Sequence, residues 1–180
     1  MYLDEEPSRL RLIVSWIVDV IVVISIAWFV VFSMGTQITV TGQSMEPVLS
    51  QDEVVLMNRV SYHLKKPQRF DIVVFEKEEG KYNIKRIVGL PGETVQIRDG
   101  FLYINEERLE AEEYLQKADL AGLAENPVVL EKNEYFLLGD NRDSSEDSRF
   151  VNVGNVKKEQ IKGKVWLRIR PLRRFGRIGS

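Results

Sequence analysis

Cysteine is absent from the 180-residue sequence, and histidine occurs once. The lack of cysteine excludes disulfide bonds and thiolate metal sites, and it leaves the chain free to fold on either side of a membrane. An excess of charge of one sign is also lacking, because 25 basic and 27 acidic residues give a formal net charge of -2. So balanced a charge argues against a nucleic acid as partner. The sequence contains no repeat and no low-complexity linker, and we expect neither a metal ion nor a cofactor.

A long apolar run near the N-terminus extends from Leu12 to Met34. It is long enough to cross a hydrocarbon core of ~30 Å as a helix, and it exceeds the ~7 to 15 apolar residues of a cleavable secretory leader. Asp19 is the one charge inside it. On insertion scales a central Asp costs about 2.5 to 3.5 kcal/mol, which the surrounding Leu, Ile, Val and Phe offset at about 0.3 to 0.6 kcal/mol each. We therefore predict a transmembrane anchor over residues 12–34. Cleavage near the small-x-small sequence Ser33-Met34-Gly35 is the alternative that the sequence leaves open.

The charges around this run predict an orientation. Arg9 and Arg11 precede the run, and no basic residue follows it until Arg59. Because short cytoplasmic flanks are enriched in Lys and Arg, we expect residues 1–11 in the cytoplasm. Residues 35–180 then lie outside the cell, as the extracytoplasmic domain of a single-pass plasma membrane protein.

A cluster of basic residues lies in the C-terminal tail. We interpret it as a solvated chain end, and contact with lipid headgroups is the alternative that the sequence leaves open. The cluster consists of Arg168, Arg170, Arg173, Arg174 and Arg177.

Short strands separated by turns are predicted for the rest of the chain, which indicates a mainly β fold with an antiparallel sheet or a barrel-like domain. Asp99-Gly100 is typical of a two-residue hairpin turn, because both positions favour positive φ. One soluble helix is expected over residues 110–123. The predicted strands are residues 53–60, 71–76, 82–88, 94–98, 101–104, 134–138 and 163–170.

Three segments have a composition that is unusual for a scaffold, and the first is residues 41–47 (TGQSMEP). Gly42 and Pro47 bracket a bend that can expose the Ser44 hydroxyl and leave backbone N–H groups unpaired, as an oxyanion site requires. By itself, a serine in such a bend is typical of an ordinary turn.

The second segment, residues 83–93 (NIKRIVGLPGE), places two cations next to each other in an apolar strand. Strand alternation points Lys85 and Arg86 to opposite faces. Lysine loses its charge when it is buried, whereas arginine stays charged and has to be paired. We therefore expect that Lys85 can become a neutral base and that Arg86 contacts a carboxylate.

The third segment, residues 139–149 (GDNRDSSEDSR), is rich in acids. A calcium loop is excluded, because Arg142 occupies the third ligand position and no glycine occupies the sixth. The mixture of arginines, carboxylates and hydroxyls predicts an internally bonded loop next to a buried site. His63 lies in a polar stretch far from all three segments, so we expect a surface position for it and no Ser-His-Asp triad.

Together the three segments resemble the boxes of the bacterial signal peptidase I family in its compact, Gram-positive-type form. The family patterns are x-G-x-S-M-x-P after the anchor, K-R-x-x-G-x-P-G on a strand and G-D-N-R-x-x-S-x-D-S-R near the end. All three occur here in that order, and residues 164–168 (KVWLR) are also similar. The likeness extends from the anchor to Pro171.

The resemblance implies a role for individual residues. Ser44 would be the nucleophile, Lys85 its general base and Ser145 the hydroxyl that hydrogen-bonds and orients that base. The Ser44 N–H would help to bind the oxyanion. The second donor stays open, because Gly42 stands where Gram-negative relatives have a serine.

The resemblance also implies residues that support this site. Arg86 is expected to pair with an acid in the third box, and a second acid and arginine there form a structural pair that shapes the loop. Two more residues flank the nucleophile and help to set its exposure. The acids are Asp140 and Asp147, the second arginine is Arg149, and the flanking residues are Met45 and Pro47.

The implied function is the removal of signal peptides from preproteins that emerge from the secretion machinery. Cleavage would follow a small-x-small motif, with the substrate extended along a strand edge. Two alternatives remain at this point. Self-cleaving repressors of the SOS response also use a Ser–Lys dyad, but they carry a DNA-binding module where this chain has an apolar segment. A membrane-tethered β domain without activity is the other.

Overall fold

The computed structural model describes residues 9–110 and 117–179. The chain divides into an N-terminal unit that ends at Gly35 and a second unit that begins at Thr36.

The N-terminal unit contains one long helix, α1 (Arg9–Met34). Its segment Arg9–Phe29 is long and apolar enough to cross a membrane, by length and composition. Large apolar side chains are exposed along it, including Trp16 and Trp28. A helix whose apolar side chains are exposed on every side is typical of a membrane span. The predicted helix is therefore observed, while its passage through a bilayer remains a prediction.

Twelve strands follow the helix within the described residues, and all of their residues except Gly35 belong to the second unit. The paired strands from β2 to β12 are antiparallel. The mainly antiparallel β fold is thus confirmed. The strands are β1 Gly35–Thr39, β2 Val54–Asn58, β3 Ile72–Glu78, β4 Lys81–Gly89, β5 Thr94–Arg98, β6 Phe101–Ile104, β7 Glu107–Arg108, β8 Val128–Val129, β9 Glu134–Leu138, β10 Val156–Lys157, β11 Ile161–Arg170 and β12 Gly176–Arg177.

These strands form two sheets. The larger has the order β1-β2-β11-β3-β4-β9-β10, with β12 paired to β11, and the smaller has the order β7-β6-β5-β8. The smaller sheet packs its apolar side chains against the ends of β4 and β9, in a core that contains Val88, Phe136 and Leu138. Two further apolar clusters involve the larger sheet.

Strand β4 lies inside the larger sheet, between β3 and β9. Lys85 is in register with Val73 on β3, and Arg86 lies between Ile72 on β3 and Leu138 on β9. Both cations are buried, with 3% and 0% of their surfaces exposed. Two basic side chains on an interior strand have to be neutralised or paired, and this requirement positions the site described below.

The predicted helix over residues 110–123 is wrong for its described part, and residues 111–116 lie outside the described residues. Lys117 to Ala121 is not helical, and Gly122–Glu125 forms a 3-10 turn. The Ala118 N–H donates to the Gly100 carbonyl, and the Leu123 N–H donates to the Arg149 carbonyl. These tertiary hydrogen bonds use the backbone groups that a helix would need.

The predicted strands agree well with the observed ones. Residues 94–98, 101–104 and 134–138 match their strands, and the others differ at their ends by a few residues. Positive φ at Asp99 and Gly100 confirms the hairpin turn. The sequence analysis missed the short helix α2 (Ser61–Leu64), four strands of two residues that are too short to show a periodic pattern, and the five-residue strand β1, which directly follows the apolar run. The missed strands are β1, β7, β8, β10 and β12.

A glycine on β11 fixes how closely that strand approaches β2. A Cβ atom at Gly163 would lie 2.5 Å from the Asn58 carbonyl oxygen and 2.7 Å from Met57 Cγ. We expect Gly163→Ala to destabilise the β unit by about 1 to 3 kcal/mol, because backbone has to move. Thermal unfolding in detergent, followed by circular dichroism, measures the loss.

Gly176→Ala on the neighbouring β12 is the matched control, because a Cβ atom there meets nothing within 4 Å. Equal melting temperatures for the two variants would contradict the close-approach argument.

Candidate active site

The turn between β1 and β2 carries Ser44. Met45 and Leu49 are buried in an apolar cluster, and the Leu49 N–H donates to the Met45 carbonyl at 2.8 Å. Gly42 has φ +78°, a conformation that other residues rarely adopt. Because its neighbours are anchored in the core, the half-buried Ser44 is held in a defined position.

Lys85 reaches this turn from the middle of β4. Its Nζ donates a hydrogen bond of 2.8 Å to Ser44 Oγ. The two residues are far apart in sequence, and the fold brings together the two groups that the first two boxes predict. The hydroxyl is half-buried, whereas the lysine is 3% exposed.

Burial lowers the pKa of Lys85 from 10.5 to about 8. The charges of Asp147, Glu146 and Asp140 act against this effect, and the charge of Arg149 adds to it. With a pKa near 8, about one amine in five is neutral at pH 7.4, compared with about one in a thousand at the ordinary value. The arrangement therefore supplies a usable base beside a hydroxyl.

Arg86, the neighbour of this lysine, forms a buried pair with Asp140. Arg86 Nε donates to Oδ1 at 2.7 Å and Nη2 to Oδ2 at 2.8 Å, with the two side chains 0% and 4% exposed. Nη1 donates to the Phe70 carbonyl at 2.9 Å. Removal of one partner from such a pair typically costs about 3 to 5 kcal/mol, so this contact fixes the segment after β9 against β4.

Asp147 is the centre of a second buried network. It accepts from Arg149 Nε at 2.8 Å, from the Gly139 N–H at 3.0 Å and from Ser145 Oγ at 2.7 Å. Arg149 also donates to the carbonyls of Arg142 and Leu120, at 2.7 and 3.0 Å. The network holds the acidic loop in one shape, as the third box predicts.

Ser145 differs from its implied geometry. Its hydroxyl donates to Asp147, and Lys85 Nζ donates to Ser44. Among the described residues, a direct Ser145–Lys85 hydrogen bond is not formed. The Ser145 hydroxyl proton is directed at the Asp147 carboxylate, a strong acceptor, and the Lys85 amine is directed at Ser44.

Sequence reasoning missed Gly139. A Cβ atom built there would lie 2.1 Å from Ser145 Oγ and 2.5 Å from the Ser44 carbonyl oxygen. The Asn141 N–H donates to that same carbonyl at 3.1 Å. The glycine therefore lets the acidic loop lie against the turn that carries Ser44, and the only signal for it in the sequence was a glycine at the start of the third box.

The remaining predicted positions lie at the surface. Pro47 is exposed and follows a cis peptide bond, and His63 is exposed on α2. Over residues 9–110 and 117–179, no three His, Asp or Glu side chains are grouped so that they could hold a metal ion.

Comparison with known proteins gives a consistent result. The family model described as "Signal peptidase, peptidase S26" matches residues 13–170. Signal peptidase IB of Staphylococcus aureus (strain COL) is 32% identical over 91% of this chain and 92% of its own length. Signal peptidase I P of Bacillus subtilis subsp. natto is 32% identical over 96% of this chain and 97% of its own length. A crystal structure of a signal peptidase I from Enterococcus faecalis V583 is 37% identical and covers 56% of this chain and 97% of that one, at a TM-score of 0.43.

The resemblance inferred from the three boxes is thereby confirmed. The family match covers most of the chain, and it includes Ser44, Lys85 and the acidic loop. The chain belongs to the signal peptidase family, peptidase S26.

Proposed function

We propose that this chain is a membrane-anchored serine endopeptidase that removes signal peptides by a Ser–Lys dyad. Membership of the signal peptidase family supports a peptidase that acts on signal peptides. The observation that carries the dyad is the 2.8 Å hydrogen bond between the buried Lys85 amine and the Ser44 hydroxyl.

The first half of the reaction forms an acyl-enzyme. Neutral Lys85 takes the Ser44 proton while Oγ attacks the carbonyl carbon of the scissile bond. The resulting oxyanion accepts a hydrogen bond from the Ser44 N–H. When the tetrahedral intermediate collapses, the C–N bond breaks and the lysine ammonium returns its proton to the leaving amine.

The second half regenerates the enzyme. Lys85, again neutral, takes a proton from water while the water oxygen attacks the ester carbon. Collapse breaks the ester bond, and the proton passes from the ammonium to Ser44 Oγ. No group outside the chain and water is required, so we propose no cofactor.

The surrounding residues position the dyad. In this proposal the Arg86–Asp140 pair and the Asp147–Arg149 network hold β4 and the acidic loop in place. Ser145 acts through Asp147, and so it orients the base indirectly. Gly42, Met45 and Pro47 flank Ser44 and help to set its exposure, Met45 by anchoring the turn in the core.

The proposed substrates are preproteins with a small-x-small motif before the cleavage point. Strand β1 is at one edge of the larger sheet, and Ser44 follows it closely in the chain. An extended peptide that adds to a sheet edge presents alternate side chains to shallow pockets. We propose that these pockets admit small residues at every second position.

Anchoring is the other part of the proposal. Residues 12–34 cross the plasma membrane, residues 1–11 stay in the cytoplasm, and residues 35–180 form the outer catalytic domain. The domain then works at the lipid surface, close to the translocon from which its substrates emerge.

We expect Ser44→Ala and Lys85→Ala each to reduce preprotein cleavage by at least about three orders of magnitude, because neither dyad member acts without the other. Cleavage of a preprotein by detergent-solubilised enzyme measures this, with melting curves to show that the variants fold. The matched controls are Ser144→Ala and Lys66→Ala, which change exposed residues. Near-normal cleavage by Lys85→Ala would exclude it as the base.

The pH dependence follows from the pKa of Lys85. Because the neutral amine is the active form, kcat/KM should rise with pH up to about 8 and level off above it. Steady-state cleavage of a peptide substrate across this range measures the profile. A kcat/KM profile that is flat between pH 6 and 9 would contradict the assignment of Lys85 as the base. So would a profile that rises only near the pKa of an ordinary lysine, about 10.4.

Ser145→Ala should lower kcat more than KM, and by less than loss of Lys85, because the serine acts on the base through Asp147. Single-turnover kinetics with a preprotein separates the two effects. Ser144→Ala changes an exposed serine next to it and should leave both constants unchanged. A loss as complete as that of Lys85→Ala would give Ser145 a direct role in proton transfer.

A further inference from the structure

The segment that carries Ser44 between β1 and β2 is a loop with a closed base. The Val40 N–H donates to the Glu53 carbonyl at 2.8 Å, so the two ends of residues 40–53 lie side by side. Such a loop keeps one shape only when contacts hold it along its length. Buried apolar side chains hold its first half, as described above, and the second half is held by charged residues.

Glu53, at the end of this loop, is a buried carboxylate that pairs with two arginines. It is 3% exposed, Arg168 Nε on β11 donates to its Oε2 at 2.6 Å, and Arg174 Nη1 lies 2.6 Å from its Oε1. A buried carboxylate requires such partners, because the loss of water penalises its charge. Two arginines of the C-terminal basic cluster, which the sequence predicts to be a solvated chain end, are therefore directed at the loop.

The same two arginines also contact the second half of the loop directly. Arg168 Nη2 donates to the Val48 carbonyl, and Arg174 Nη1 donates to Ser50 Oγ at 3.0 Å. The Arg168 side chain is 14% exposed, compared with 39% for Arg174, so its contacts are the less weakened by water. The planar guanidinium of Arg168 binds the Glu53 carboxylate and the Val48 carbonyl at the same time, which the single ammonium of a lysine does not reproduce.

One peptide group connects Arg168 to the turn that carries Ser44. The Val48 carbonyl, which accepts from Arg168, belongs to the same peptide group as the Leu49 N–H, which donates to the Met45 carbonyl at 2.8 Å. Met45 follows Ser44 directly in the chain and is 1% exposed. Because packed interiors transmit displacements, a shift of this peptide group also shifts the serine.

We propose that Arg168 and Glu53 are a positioning pair that holds the Ser44 hydroxyl within hydrogen-bonding distance of Lys85. The inference rests on the proposed Ser–Lys dyad. The pair acts through the backbone of the loop, by way of the Val48 carbonyl and the neck at Glu53. A displacement of about 1 Å in a reacting group can lower the rate about a hundredfold, so the pair affects the chemical step from outside the site.

Arg168→Lys in the full, detergent-solubilised chain tests the pair. The variant keeps the charge and loses the double contact, so we expect the single-turnover rate of preprotein cleavage to fall at least about tenfold. We expect KM to stay within about twofold, because the substrate contacts are unchanged. The matched control is Arg173→Lys, which changes an exposed arginine on the neighbouring 3-10 turn and should leave both constants as they are.

Loss of stability alone is separated by Gly163→Ala, which lies on the same strand as Arg168. The Cβ atom that it adds meets Asn58 and Met57, which are outside the loop. Melting curves give the stability of both variants, and cleavage is measured at a temperature at which each is folded. We expect Gly163→Ala to keep a near-normal rate. An equal fall in rate for the two variants at equal melting temperature would overturn the positioning role.

Glu53→Gln approaches the pair from its other side, and it replaces Arg168→Lys if that variant does not fold. It keeps the side-chain volume and one acceptor oxygen, and it should lower the rate in the same way without raising KM. Where both single variants fold, the double variant should lose no more rate than Arg168→Lys alone, because the two residues act together. Losses that multiply would show two separate effects and would overturn the pair.

The dyad variants distinguish a failure of this inference from a failure of the proposed function. A normal rate for Arg168→Lys, together with inactive Ser44→Ala and Lys85→Ala, would refute the positioning pair and leave the peptidase mechanism intact. Normal cleavage by Ser44→Ala would refute the dyad, and the positioning pair with it.

Discussion

The contact between the Lys85 amine and the Ser44 hydroxyl depends on which cations pair with the nearby carboxylates. Three carboxylates raise the pKa of this lysine, yet burial outweighs them and brings it to about 8. Two of these acids already bind arginines, Asp140 to Arg86 and Asp147 to Arg149. Because arginine stays charged when it is buried, it can maintain an ion pair with a carboxylate at a place where a lysine would lose its proton. Within the part of the chain that the structure describes, the arginine pairs thus leave the amine without an ion pair of its own.

Much of this arrangement could be read from the residues. Two neighbouring cations on an apolar strand predict that the arginine pairs with a carboxylate and that the lysine can become neutral. The structure places Arg86 against Asp140 and Lys85 against Ser44. The strands were predictable where alternation and turn chemistry agreed, as around Asp99-Gly100. In these places the local pattern and the tertiary contacts favour the same conformation, so the sequence alone is sufficient.

Other features could not be predicted, because they depend on contacts between distant segments. Residues 110–123 have helical composition, but backbone hydrogen bonds from Ala118 and Leu123 to remote carbonyls replace the helix in the described part. Ser145 was expected to form a hydrogen bond with Lys85, and its hydroxyl donates a hydrogen bond to Asp147 instead. No sequence pattern reveals which of several nearby polar groups a hydroxyl contacts in the folded chain.

The tight passage at Gly139 has a mechanical consequence. The Ser44 carbonyl and the Ser145 side chain both occupy the space where a methyl group would stand, so no free volume separates the two loops. Since packed interiors transmit strain rather than absorb it, a push on either loop is felt by the other. We therefore expect the Ser44 turn and the acidic loop to move together, and in the proposed mechanism a molecule that acylates the serine also displaces the residues that hold Lys85.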